Sequence, residues 1–168
     1  MLVLGIDPGV AITGYGLLEG PADEARLVAS GVVVTPSTFS LSERLLVVHD
    51  ELAALIARYR PQAAAVEELF FGRNARTALA VGHGRGVALL TLAQAGLEVY
   101  EYTPMQVKQA VVGYGRADKG QVQEMIRMLL RLETVPQPDD AADAVAVAFC
   151  HLQSARLNAL LEGAKDRE

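Results

Sequence analysis

Asp7 closes an apolar run over residues 2–6 and is followed at once by Pro8-Gly9. Much later, Glu67 and Glu68 close a second apolar run, residues 63–66, and Asp140 and Asp143 stand three apart in a stretch rich in Ala and Val. A carboxylate at the end of a buried strand is costly unless something pairs with it. Carboxylates three apart on a helix share one face. Two such charges about 4 Å apart repel by roughly 4 kcal/mol at an effective dielectric near 20, so a cluster of them calls for a cation. Oxygen-only donors favour Mg²⁺ or Mn²⁺ over zinc. Two such ions can activate water and stabilise a leaving oxygen in phosphodiester cleavage. Taken singly, each acid has a structural use. Asp7-Pro8-Gly9 suits a turn, Asp140 suits an N-cap with Asp143 favoured by the helix dipole, and Glu68 suits a solvent-facing strand end. Adjacent strand residues face opposite sides of a sheet, so only one of Glu67 and Glu68 can join the others.

The elements that must bring these acids together are readable from periodicity. Residues 2–6 and 13–18 form a hairpin across Pro8-Gly9, and residues 26–34 a third strand. A helix begins near Ser40 with Glu43 completing a capping box, and Leu45, Val48, Leu52, Leu55 and Ile56 are its apolar face. Residues 63–69 read as a buried strand, 75–95 as a helix and 97–102 as a fifth strand. Thr103-Pro104 opens a short helix ending at Gly113. Asp118 with Gln121 caps another, and the last helix starts at Asp139 or Asp140. In the 75–95 helix, Ala78, Gly82 and Gly86 form a stripe that permits close approach of another helix, within or between subunits. Three strands on short turns followed by alternating helices and strands imply an α/β fold, a mixed sheet with helices on both faces. With no linker or repeat, residues 1–168 read as a single domain, residues 161–168 being a frayed tail.

At 168 residues with about half of them apolar, the chain can bury a core without disulfides or structural metal. Its single cysteine, Cys150, forms no internal bridge and points to a reducing compartment. No signal-peptide pattern or membrane-length apolar run is present, so a cytoplasmic location is expected. Net charge is −5, but residues 73–131 hold eight Lys/Arg against four acids, +4, leaving −9 for the rest. A local basic face in an acidic protein is compatible with nucleic-acid contact. Arg73, Asn74, Arg76, Lys108, Arg116 and Lys119 are the candidate DNA contacts, and half of the basic residues are equally explained as solvated helix positions.

Five segments, Gly5-Ile6-Asp7-Pro8-Gly9, Thr13-Gly14-Tyr15-Gly16, Ala65-Val66-Glu67-Glu68-Leu69-Phe70, Gln106-Val107-Lys108-Gln109 and Asp140-Ala141-Ala142-Asp143-Ala144, follow in an order and spacing that resembles the RuvC family of bacterial Holliday-junction resolvases. The first alone is shared with actin-like ATPases; all of them together are specific. The resemblance implies a ribonuclease H-like mixed five-stranded sheet, a homodimer, and paired symmetric nicks in opposing strands of a four-way junction that leave ligatable 5′-phosphates. It implies that Asp7, Glu67, Asp140 and Asp143 are metal-binding acids, with Glu67 chosen over Glu68 by the motif and Asp139 read as an N-cap. Lys108 and Lys119 match basic residues tied to catalysis and DNA handling, and Phe70 matches an aromatic that packs on junction bases. Mg²⁺, replaceable by Mn²⁺, is the implied cofactor, two ions per site with DNA bound, and RuvA and RuvB are the implied partners. The rival readings are a sugar-kinase or actin-like ATPase, for which the chain is too short to enclose nucleotide, a nuclease for other substrates, and an inert junction-binding module.

Overall fold

The computed structural model describes residues 1–68 and 75–165, with the side chains of 75–77 and 159–165 set aside. Five strands form one mixed sheet in the order β3-β2-β1-β4-β5, where β1 is Leu2–Asp7, β2 Ile12–Glu19, β3 Arg26–Val34, β4 Ala63–Glu67 and β5 Glu98–Tyr102. The first three pair antiparallel as a meander, and β4 and β5 run parallel to β1. The helices are α1 (Leu41–Tyr59), α2 (Ala75–Gln94), α3 (Pro104–Val112), α4 (Lys119–Leu129) and α5 (Asp139–Lys165). The expected mixed sheet with helices on both faces is therefore the architecture found. Among the described residues, no helix is long and apolar enough to cross a membrane.

Strand alternation sorts the core into two layers. Leu4, Ile6, Leu17, Ala64 and Val66 point to one face and pack against Val48, Leu52 and Ile56 of α1 and Ala88 and Leu92 of α2. Val3, Leu18 and Ala65 point to the other, against α5 residues such as Val145, Ala148 and Phe149 and against Val107, Val122 and Ile126 of α3 and α4. Ser40, Thr103 and Asp118 each complete the expected capping box, with Glu43, Gln106 and Gln121 respectively.

The α5 face is built on missing side chains. A Cβ at Gly16 would stand 2.6 Å from Val145 Cγ2 and 2.8 Å from its Cα, and a Cβ at Gly14 would run into the carbonyl of Asp140. Gly5 meets the backbone of α5 at Ala144 and Ala148 in the same way. These three positions let the helix backbone rest directly on the sheet.

Three sequence expectations are corrected. β4 ends at Glu67, so Glu68 lies beyond the strand, its amide donating to the Tyr102 carbonyl at 2.8 Å. The α5 N-cap is Pro138, whose carbonyl accepts from Ala141 and Ala142, and Asp139 is the first helical residue instead. Gly86 of the expected stripe meets nothing within the chain, whereas Gly84, outside that stripe, is closely packed: a Cβ on Gly84 would come within 2.7 Å of the Gly9 carbonyl, and one on Gly86 meets nothing within 4 Å. Of the segment expected to fray, residues 161–168, α5 takes in 161–165, and 166–168 lie outside the described residues.

Because neither the Asp140 carbonyl nor the strand can yield without moving α5, Gly14→Ala is expected to lower the melting temperature by roughly 3–10 °C. Differential scanning calorimetry checks this, and an unchanged Tm would mean that the helix is free to ride up off the sheet.

Candidate active site

Parallel pairing of β1 with β4 puts Gly5 opposite Ala65 and Ile6 opposite Val66, so the next residues along, Asp7 and Glu67, end neighbouring strands at the same sheet edge. Val3 and Ala65 face α5, and alternation by two carries Asp7 and Glu67 to that same face. Antiparallel pairing sets Gly14 beside Asp7, and Gly14 is where α5 lies closest, at Asp140. The first turns of α5 thus hang Asp140 and Asp143 over the end of β1. The loop that follows Asp7 is pinned from several sides: Thr13 Oγ1 donates to the Gly9 carbonyl at 2.5 Å, Thr35 Oγ1 donates to the Val10 carbonyl at 2.6 Å, and Gly84 packs beneath.

Electrostatics register the convergence. Burial first, then the charges of Asp143 and Asp140, push the Asp7 carboxyl up to about 6. Burial, Asp7 and Asp143 push Glu67 up to about 7, against the opposing pull of Lys119 and Lys108. Burial also raises Asp143, partly offset by its hydrogen bond to Lys119. Each shift means that the ionised form lacks compensating positive charge. The positive charge nearest at hand is Lys119, whose Nζ lies 2.8 Å from Asp143 Oδ2 and 3.4 Å from Asp139 Oδ2. Burial works against that ammonium, but the hydrogen bond and attraction to Asp143 outweigh it and raise its pKa. A cavity of about 240 Å³ opens beside the acids, walled by Glu67, Asp143, Lys108 and Lys119 on its polar side and by Val107, Val122 and Ala146 on the other.

Among the described residues, no three His, Cys, Asp or Glu side chains are drawn together into ligand geometry. The donor chemistry nonetheless fits a hard divalent ion: carboxylate oxygens only, short side chains on rigid elements, and raised proton affinities that added positive charge would relieve. Lys119 stands where such an ion would compete for Asp143.

Of the other sequence candidates, Arg116 is exposed on the α3–α4 connection and Arg76 lies in the first turn of α2. Phe70, Arg73 and Asn74 lie outside the described residues. Arg85, counted above with the basic face, is instead an ion-pair partner of Glu101, and its Nε donates to the Glu67 carbonyl at 3.4 Å, tying α2 to the strand end that carries the acid. Sequence reading missed this role, and that of Gly84, because the three glycines flanking His83 and Arg85 are indistinguishable without knowing which way α2 faces. Thr13 was noted only as part of a motif, and Thr35 carried no signal.

The family model described as "Crossover junction endodeoxyribonuclease RuvC" matches residues 3–151. A protein of that description from Ruminiclostridium cellulolyticum is 52% identical over 161 residues, 96% of this chain and 97% of the relative. One from Roseiflexus sp. is 60% identical over 152 residues, 90% of each. The structure of Thermus thermophilus RuvC in complex with a Holliday junction substrate superposes with a TM-score of 0.89 at 42% identity, covering 94% of this chain and 96% of that one. The yeast mitochondrial resolvase Ydc2, at 14% identity and a TM-score of 0.68, shares the fold.

A carboxyl whose pKa is raised on folding holds its proton longer in the native state, so stability is greatest below the unfolded value and falls as pH rises through the folded one. For Asp7 and Glu67 that window runs from about 4 to about 7. Metal-free protein should lose on the order of 1–3 kcal/mol of stability across it. Asp7→Asn should flatten the profile, and Mn²⁺ should raise Tm more at pH 8 than at pH 5. Thermal melts across pH with and without Mn²⁺ measure both; parallel profiles for Asp7→Asn and wild type would show that folding does not raise the proton affinity of Asp7.

Proposed function

The chain belongs to the RuvC family of crossover junction endodeoxyribonucleases, and from that premise we propose that Asp7, Glu67, Asp140 and Asp143 form the metal centre with which it cuts four-way DNA junctions. Its reaction is the endonucleolytic resolution of Holliday junctions in recombination and repair. The observation that carries the site assignment is the convergence of Asp7, Glu67 and Asp143, acids from separate elements whose pKa values are raised, with Glu67 and Asp143 lining one cavity beside two lysines.

An all-carboxylate donor set suits Mg²⁺, with Mn²⁺ as a substitute, and room for two ions once DNA contributes its own oxygens. When bound, such ions supply a water of lowered pKa and neutralise charge on the leaving oxygen. The rest falls to the chain. Asp7 sits on a strand end whose following loop is fixed by Thr13 and Thr35, which hold in place the backbone that carries its carboxylate. Arg85 holds the backbone of Glu67 from behind. Lys108 and Lys119, facing the cavity, draw the scissile phosphate toward the acids, where like charge alone would repel it. The apolar wall of Val107, Val122 and Ala146 keeps the local dielectric low, which strengthens each of these interactions.

Phe70, Arg73, Asn74, Arg76 and Arg116 are assigned to the DNA surface, Phe70 stacking on junction bases, a contact worth about 1–3 kcal/mol per base. Symmetric nicks in two opposing strands require two sites related by a twofold axis, which a homodimer supplies. RuvA and RuvB in the cytoplasm are its assigned companions, delivering the junction by branch migration.

Cleavage of a synthetic four-way junction, with each of the four strands labelled in turn, tests the reading. Wild type in Mg²⁺ should nick two opposing strands at matching positions. Asp7→Asn and Glu67→Gln should each lose about three orders of magnitude in rate, while Glu68→Gln stays near wild type. Full activity of Asp7→Asn, or equal cutting of linear duplex, would sink the assignment.

A further inference from the structure

We propose that Asp139 is a positioning residue that shares the Lys119 ammonium with Asp143, making Lys119 the resident cation of the metal-free site and giving it somewhere to go when a divalent ion arrives. The inference rests on the four-acid metal centre proposed above.

Lys119 is the first residue of α4, directly after its cap Asp118. A cation there opposes the helix dipole, so α4 itself gains nothing from the residue. Its position is explained by what it faces. Nζ is 2.8 Å from Asp143 and 3.4 Å from Asp139, two acids on α5 that differ in setting: the Asp143 side chain is 29% exposed and points into the pocket, whereas that of Asp139 is 57% exposed at its rim. Asp139 is also anchored to α4 independently of the lysine, because Gln123 Nε2 donates to its Oδ1 at 3.2 Å. Lys119 and Gln123 are one helical turn apart, so both oxygens of Asp139 are held along one face of α4. The ammonium therefore has two carboxylate stations, one inside the site and one at its edge, and a flexible four-carbon stem long enough to move between them.

A divalent ion that takes Asp143 must displace Lys119. With Asp139 beside it, the displaced ammonium keeps a partner at the rim, in reach of an incoming phosphate. Without Asp139 the ammonium stays committed to Asp143 and competes with the ion. Asp139 thus assists metal binding by attracting the lysine, although it touches neither metal nor DNA.

Mn²⁺ titration of the DNA-free protein, read from the electron paramagnetic resonance signal of free Mn²⁺, separates this from simple loss of a negative charge. Asp139→Asn should weaken Mn²⁺ binding about fivefold, and Lys119→Met should tighten it. In the Lys119→Met background, Asp139→Asn should change affinity by less than about 1.5-fold. Asp139→Glu, which keeps the charge and guards against a folding artefact of the amide, should bind Mn²⁺ as wild type does. An unchanged affinity for Asp139→Asn overturns the proposal, and so does an equal loss with and without Lys119. Asp7→Asn binding Mn²⁺ as tightly as wild type would instead overturn the metal-centre reading, whatever the behaviour at Asp139.

Discussion

Direct contact between the backbone of α5 and the backbones of β1 and β2 is the constraint on which the rest of this molecule depends. Hydrogen is the only substituent that Gly5, Gly14 and Gly16 can carry beneath that helix. The helix answers with small residues of its own, Ala141, Ala142, Ala144 and Ala148, all buried. Aspartate is a short side chain, and a helix standing off by the thickness of a leucine layer would leave Asp140 and Asp143 out of range of Asp7. Close packing at three glycines is thus what converts a sheet edge and a helix terminus into one site.

That arrangement opposes the interest of the fold. Burying like charges beside one another raises the proton affinity of each, and nothing in the local hydrogen bonding cancels it. The structure tolerates this because its stability is supplied elsewhere, by two apolar layers on opposite faces of the sheet. Unfavourable electrostatics held in place by a well-packed frame is a common mark of sites built for a ligand not yet bound. Lys119 moderates the repulsion without abolishing it.

Much of this was legible in the residues. Capping signals at Ser40, Thr103 and Asp118 are local chemistry, so sequence alone located the starts of α1, α3 and α4. Strand alternation could not separate Glu67 from Glu68, because β4 ends at Glu67 and Glu68 lies past the point where alternation applies. What resisted reading was choice among equivalents. Gly84 and Gly86 look alike until α2 is rotated against the loop after Asp7. Arg85 looks like its basic neighbours until Glu101 and the Glu67 carbonyl are found beside it. Asp139, a plausible cap beside Pro138, turns out to point at another helix because the proline carbonyl already serves the first turn.

Placing two of the acids on α5 also makes the site depend on elements far apart along the chain. A chain emerging from the ribosome presents Asp7 early and Glu67 midway, yet both strands await the element that covers them and supplies the remaining carboxylates. Until residues 139–150 have been synthesised and docked, the α5 layer of the core does not exist and neither does the gathering of the four acids.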